Sequence, residues 1–271
     1  MYAFAYHKPR SLAEAGELLA SHDEARLLAG GMTLLPALKQ RLAAPTDLVD
    51  LGGLADLVGI TVSDSEIAIG AMTTHAAVTQ NEAVATKIPA LATLAGGIGD
   101  PQVRHRGTIG GSICNADPAA DYPAGVVALG ATIVTDRREI AADDFFTGMF
   151  ETALEPGEIV RQVRFPIPEA AGYAKFPNPA SRYAVVGVFV AKTAGGVRVA
   201  VTGAGPSVFR IPAMESALAA NFSPDSVTGI SVPEGELNND PHATAAYRAH
   251  LIGVMARRAV ASARNTSEGE N

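Results

Sequence analysis

Residues 104–123 read Arg-His-Arg-Gly-Thr-Ile-Gly-Gly-Ser-Ile-Cys-Asn-Ala-Asp-Pro-Ala-Ala-Asp-Tyr-Pro and concentrate the side chains best suited to hold a polar ligand. Gly107, Gly110 and Gly111 let main-chain N–H groups approach a ligand without a Cβ in the way. Thr108 and Ser112 add hydroxyl donors, and Asp117 and Asp121 follow as acceptors. Donors suit a phosphate, whereas a carboxylate suits a ribose or a ring N–H. A second stretch of this kind, Ala29-Gly30-Gly31-Met32-Thr33, follows an apolar run far upstream. Either stretch alone is compatible with an ordinary turn. Together they suggest a dinucleotide diphosphate held from two sides.

Little else in the chain looks like reaction machinery. His7, His22, His75, His105, His242 and His250 have no metal-ligand spacing. His75 and His105 stand beside the presumed ligand stretches, and Arg104 and Arg106 can reach a diphosphate, a partner or only solvent. Cys114 reads as a small buried side chain. No nucleophile elbow, carboxylate pair or Ser/His/Asp set is visible, and neither a G-x-G-x-x-G fingerprint nor a Walker lysine pattern occurs. Binding loops without acid–base groups fit an imported redox cofactor, which would carry the chemistry itself.

The surrounding pattern supplies the elements that would position these loops. Ser11 and Glu14 form a capping-box pair opening a helix with Leu12, Ala15, Leu18 and Leu19 on one face. Arg26–Ala29 then reads as a short strand leading into Gly30-Gly31, and Thr33 as the cap of a helix over Leu34–Leu42. Strands are expected at Leu48–Leu51, and a hairpin joins Val58–Val62 to Ile67–Ile69 around Ser63-Asp64-Ser65. A helix is expected from His75 to about Val84, another over Pro89–Ala95, and a third over Tyr122–Leu129. Strands follow at Ala131–Thr135 and Ile159–Phe165, with Phe145 to Phe150 packed between them. Pro166, Pro168, Gly172, Pro177 and Pro179 suggest a linker or an extended crossing segment. Beyond it come a hairpin of Tyr183–Lys192 and Gly196–Gly203, a helix over Ile211–Ala220 and a long one over Ala243–Ala263, then a polar tail from Asn265. The expected organisation is α+β throughout, with one domain over residues 1–172 and a smaller one over 173–271.

With 271 residues, 48% of them hydrophobic, the chain has ample material for one large or two modest cores. A net charge of −7 argues against a nucleic-acid surface. No apolar run reaches the ~18 residues of a membrane span. The N-terminal residues lack the layout of a secretory signal, and a single cysteine leaves no disulfide framework and no iron–sulfur or cysteine-based zinc site. A cytoplasmic location is the expectation.

The two glycine stretches, as Ala29-Gly30-Gly31-Met32-Thr33-Leu34-Leu35-Pro36 and Thr108-Ile109-Gly110-Gly111-Ser112, resemble the FAD-binding loops of the flavoprotein (medium) subunits of the molybdenum hydroxylases. The likeness runs on through Gly99 to Arg106, Ala116 to Pro123, Asp144 to Thr152, Pro179 to Ala184, Thr202 to Pro206 and Asp240 to Arg248. The stretch Asp144 to Thr152 is closest in kind to the aerobic carbon monoxide dehydrogenase branch.

That resemblance implies an FAD-binding domain of the vanillyl-alcohol-oxidase (PCMH) type with two subdomains, followed by a smaller C-terminal domain. It assigns non-covalent FAD to Ala29, Gly30, Gly31, Met32, Thr33, Leu34, Thr108, Ile109, Gly110, Gly111, Ser112, Asp121, Ile159, Val160 and Lys175. It assigns no catalytic or metal residue to this chain. Met32 departs from the polar residue often found there, which leaves room for a main-chain contact only. The implied role is electron transfer within an oxidoreductase complex, from [2Fe-2S] clusters on a small subunit to FAD here and on to an external acceptor. The molybdenum cofactor lies on a large subunit, in a dimer of heterotrimers. A stand-alone flavin reductase or oxidase of the same fold and a cofactor-free structural subunit are the rival readings. Valine at Gly31 or Gly110 is expected to fill the space a diphosphate needs.

Overall fold

The computed structural model describes residues 1–268, so the end of the expected polar tail, residues 269–271, lies outside the described residues. Among the described residues, three sheets and one short two-stranded ribbon carry the fold. The first sheet is parallel, with Asp47–Asp50 between Ala5–His7 and Ala25–Leu28. The second is antiparallel, in the order Ile60–Val62, Glu66–Gly70, Val160–Pro166, Thr132–Thr135, Glu139–Ala141. The third, also antiparallel, runs Ala170–Pro177, Ala184–Thr193, Gly196–Thr202, Phe209–Arg210. The α+β expectation holds.

Local chemistry sets most boundaries. Ser11 Oγ accepts the Glu14 N–H at 3.1 Å, which opens the helix Leu12–Ser21. Glu14 reaches back to the Arg10 N–H at 2.7 Å, one residue earlier than an ideal capping box. The single helix expected from His75 is instead two, His75–Gln80 and Glu82–Lys87. Asn81 breaks it by turning extended and capping the Val84 N–H at 3.0 Å, as asparagine readily does. Thr33 provides no such side-chain bond to Leu34–Lys39, which stops three residues short of the expected end.

The proline-rich segment is a strand, not a linker. Ala170–Pro177 forms the edge of the third sheet, where Pro177 removes no interior ladder bond. Gly172 lets the helix Ala245–Glu268 lie directly on that strand: a Cβ there would come within 1.9 Å of the Ala259 carbonyl oxygen. The neighbouring strand Ala184–Thr193 is buried on both faces, which explains its nearly unbroken apolar run. Its Phe189 and Ala191 join the core under the helices that follow the second sheet, and Val186, Val188 and Val190 join the core under Ala245–Glu268. The C-terminal third of the chain is thus seated firmly on the rest.

Candidate functional site

A cleft of about 770 Å³ opens between the first two sheets and is closed on one side by residues 181–183, in the connection between the first two strands of the third sheet. This is within the ~300–1,000 Å³ range of small-molecule sites. Every residue assigned above to cofactor binding lines it except Ile109 and Lys175. Ile109 is wholly buried, and its N–H is spent on the Thr73 carbonyl at 3.1 Å. Lys175 stands behind the wall.

The first glycine stretch forms one side of the cleft because the strand Ala25–Leu28 ends at its rim and Gly31 turns left-handed, with φ +72°. Among the described residues, no hydrogen bond within the protein uses the N–H of Gly30, Gly31, Met32 or Thr33. Four consecutive free donors around a left-handed residue make an anion-binding nest. Met32 is more than a third exposed and lines the cleft, and its side chain brings no hydrogen-bond donor to this stretch, whose four free donors are backbone N–H groups.

The second stretch is the start of a helix, Ile109–Asn115, rather than an open loop. Thr108 caps it, accepting the Gly111 N–H at 3.1 Å. Gly110 donates to the Ala71 carbonyl at 2.8 Å, and a Cβ on Gly110 would sit 2.6 Å from that of Ala71. Gly110 therefore makes room for protein, not for a ligand, and the expected reason for a Gly110 substitution is corrected accordingly. Gly30 behaves likewise: its Cβ would fall 1.9 Å from the Arg106 carbonyl oxygen, so the two glycine stretches touch backbone to backbone. Gly111 faces Ala29 across the gap, where a Cβ would be 3.4 Å from the Ala29 Cβ. The second stretch thus offers fewer free donors than its sequence suggests, leaving chiefly Ser112 and its glycine surface.

Asp121 lies at the floor, 3% exposed. Tyr173 donates its hydroxyl to Asp121 Oδ1 at 2.5 Å, and Lys175 Nζ is 2.8 Å from the same oxygen. Burial pushes this carboxyl above the usual carboxylate range, and Lys175 and then Tyr173 pull it back. Lys175 spends its other protons on the carbonyls of Gly97 and Arg182, at 2.8 and 3.0 Å. Ile159 and Val160 form the far wall, at the bulged start of their strand. Beside them the buried Glu158 carboxylate is bound by Arg138, which holds it down at about 2.

Several neighbours differ from the sequence expectation. Arg104 does not reach the cleft; its guanidinium is tied to the Ile98 and Gly99 carbonyls at 3.0 and 3.1 Å. Cys114 presents its surface to the cleft instead of the core, although the protein around it pushes the thiol up to about 12. Phe150 is not packed: it is exposed, left-handed at φ +56°, and lines the cleft mouth with Tyr183. His75 is buried against the Tyr122 ring at 5.4 Å and pushed down to about 4, first by burial and then by Arg104. It is neutral at physiological pH, and no carboxylate shares its site as a general-base partner.

The site is therefore a dinucleotide-sized cleft with a backbone nest at one end, apolar walls at Leu27, Met72, Ile159 and Val160, and two buried acidic side chains, Asp121 at the floor and Glu158 paired with Arg138. That donor set fits a flavin dinucleotide, whose diphosphate needs N–H groups and whose ring system needs apolar walls.

Comparison with known proteins agrees with this geometry. Residues 2–168 match the family described as the FAD binding domain in molybdopterin dehydrogenase. The carbon monoxide dehydrogenase medium chain of Afipia carboxidovorans is 36% identical, over 97% of each chain. The nicotine 6-hydroxylase medium subunit of Paenarthrobacter nicotinovorans is 33% identical, over 96% of this chain and 97% of that one. The crystal structure of a cyanide-inactivated Cu,Mo-CO dehydrogenase superposes with a TM-score of 0.89 at 34% identity, covering 98% of this chain and 99% of that one. The chain belongs to the family of FAD-binding domains of the molybdopterin dehydrogenases and is a medium, flavin-carrying subunit of that kind.

Proposed function

We propose that this chain holds FAD non-covalently in the cleft and serves as the electron-transfer subunit between [2Fe-2S] clusters of a small subunit and an external acceptor. The molybdenum site that oxidises the substrate sits on a large subunit, the three chains form a dimer of heterotrimers, and the complex works in the cytoplasm. The observation that carries this reading is the run of four free N–H donors from Gly30 to Thr33, in a stretch that lines a cleft with apolar walls and no acid–base pair. A hydrolase or a substrate dehydrogenase needs a proton-handling pair beside the reacting bond. An electron-transfer site does not.

In this reading FAD supplies the ability to take two electrons and release them singly or in pairs. The chain's own residues bind and orient it. The Gly30 to Thr33 backbone and Ser112 take the diphosphate, Asp121 takes a hydroxyl or ring N–H, and Ile159 and Val160 border the ring system. Residues 1–172 carry most of this wall, while residues 173–271 close one side through Ser181, Arg182 and Tyr183. The two named relatives act on carbon monoxide and on nicotine, so the substrate is set elsewhere than in a medium subunit.

The test is the absorption spectrum of the purified chain, followed by acid precipitation and chromatography of the supernatant. A yellow protein that releases FAD supports non-covalent binding. Yellow colour retained in the pellet, or a colourless chain that takes up no added FAD, overturns it. Mixing the holo-chain with the iron–sulfur and molybdenum subunits and measuring the mass of the product tests the assembly.

A further inference from the structure

Away from the cleft, three side chains distant in sequence meet at one end of the first sheet. His7 ends the strand Ala5–His7, Asp47 begins the central strand Asp47–Asp50, and His22 follows the helix Leu12–Ser21. One ligand-type atom from each lies within 4.8 Å of the others, and among the described residues no other group of three His, Cys, Asp or Glu side chains meets so closely. None of the three lines the cleft. Spacing along the chain gave no sign of this set, because the fold alone brings residues 7, 22 and 47 together.

The hydrogen bonds decide what the cluster can hold. His22 Nδ1 lies 3.0 Å from the Leu18 carbonyl oxygen, which can only accept, so Nδ1 carries the proton. In the neutral ring Nε2 is then a bare lone pair, and it faces Asp47 Oδ1 at 3.8 Å. A lone pair opposite a carboxylate oxygen is unfavourable unless a cation lies between them. His7 Nε2 approaches the same oxygen at 2.6 Å. Tetrahedral ligands ~2.0–2.1 Å from one ion stand about 3.3 Å apart, a value bracketed by those two separations. Reaching it takes movements of roughly 0.5–0.7 Å of the two imidazole nitrogens relative to Asp47 Oδ1, His7 outward and His22 inward. A backbone carbonyl holding the far nitrogen is the usual support behind a metal-binding imidazole.

We propose that His7, His22 and Asp47 bind a divalent transition-metal ion of the zinc class through Nε2, Nε2 and Oδ1, with at least one position left to water. Two imidazoles and a single carboxylate select such an ion over calcium or magnesium, which take oxygen ligands. On binding, His7 moves its Nε2 proton to Nδ1 and gives its lone pair to the ion. The His7 and His22 side chains are about a quarter and over a third exposed, which leaves an entry path, and the Asp47 side chain is the buried anchor. The ion ties the helix Leu12–Ser21 to the sheet whose strand Ala25–Leu28 delivers the Gly30 nest. Its role is to brace that sheet.

The test is a cobalt(II) titration of the untagged, flavin-loaded chain, read in the visible ligand-field bands outside flavin absorption, with zinc competition and circular dichroism of every variant. The expected result is one saturable equivalent, displaced by zinc, with affinity lowered at least about tenfold in His7→Gln and in His22→Gln. His250→Gln, an exposed histidine far along the chain, leaves it unchanged. Asp47→Asn abolishes it if the circular dichroism is retained; His22→Gln, at a partly exposed position, decides the matter if it is not. No cobalt bands up to millimolar metal, or bands unaltered by His22→Gln, overturn the proposal. So does a His22 imidazole proton resonance that is indifferent to added zinc. None of these outcomes depends on whether the cleft binds FAD.

Discussion

Lys175→Met separates support of the cleft from contact with its ligand. Methionine keeps most of the stem and removes the ammonium group, whose bonds run to Asp121, Gly97 and Arg182. What remains is a carboxyl 3% exposed with Tyr173 as its partner, and two carbonyls without their donor. Removing one member of a buried pair costs ~3–5 kcal/mol. Burial already favours the protonated form of Asp121, so the carboxyl escapes part of the penalty by keeping its proton, and the lower end, about 3 kcal/mol, is expected. For a chain of this size each 1 kcal/mol moves the melting temperature by ~2–4 °C, giving a loss of roughly 6–12 °C.

The sign of the pH dependence follows from the same residue. A carboxyl whose folded value lies above its unfolded one weakens folding as pH rises from the unfolded value through the folded one. Loss of Lys175 raises the folded value further, so the variant's deficit is small in acid and grows as pH rises toward neutral. Melting curves of wild type, Lys175→Met, Asp121→Asn and the double variant close a thermodynamic cycle. Asp121→Asn in the Lys175→Met background should recover more than half of the loss, because no buried charge is then left. A Lys175→Met shift below about 2 °C, or strict additivity in the cycle, refutes the account. Flavin content of the folded Lys175→Met protein should stay near stoichiometric at low temperature, since Lys175 lies outside the cleft wall.

Gly30→Ala forces the Arg106–Gly107 backbone away from the first glycine stretch, and flavin absorbance per chain should fall to a small fraction of wild type. Gly16→Ala, in a helix with nothing within 4 Å of the added Cβ, should instead stabilise by ~0.5–1 kcal/mol in the same melting assay. Arg138→Leu strips the buried Glu158 of its cation. Because Arg138 holds the folded Glu158 at about 2, wild type's advantage over this variant should be present above the ordinary carboxylate range and fade as pH falls toward about 2. Denaturant midpoints across that range check it. Cys114, pushed up to about 12, should react with iodoacetamide at pH 8 at least about a hundredfold more slowly than a free thiol, and more slowly again with FAD in the cleft. Mass spectrometry of the labelled peptide reads both rates.

The sequence revealed most where a residue acts on the backbone next to it. Ser11, Pro89, the Ser63-Asp64-Ser65 turn and the hairpin ending in Gly195-Gly196 all stand within a residue or two of their expected places. Gly30 and Gly31 marked the cleft for the same reason. What stayed hidden depends on distant partners. Ile109 and Lys175 look like site residues in a motif, but the Thr73 carbonyl occupies one and the Asp121, Gly97 and Arg182 oxygens occupy the other. Phe150 reads as core because its neighbours are apolar, whereas its left-handed turn carries it to the cleft mouth. The proline-rich segment reads as a linker or an extended crossing segment; it is extended, but nothing local reports that it pairs along a sheet edge.

The glycines carry a further consequence for how the cleft works. Gly110 reads from the sequence as making space for a diphosphate, yet it gives that space to protein at Ala71, as Gly30 does at Arg106. Through Gly30 the two stretches touch backbone to backbone, with Gly111 and Ala29 on either side of the gap. A preformed nest loses little entropy when a ligand enters, so its unpaired N–H groups can bind a diphosphate as fixed dipoles. Arg104, the cation best placed for that task by sequence, is instead spent on holding the Ile98–Gly99 turn. On this view the two glycine stretches set the geometry of the cleft, and Asp121 with its Lys175 and Tyr173 partners supplies the buried carboxyl at its floor.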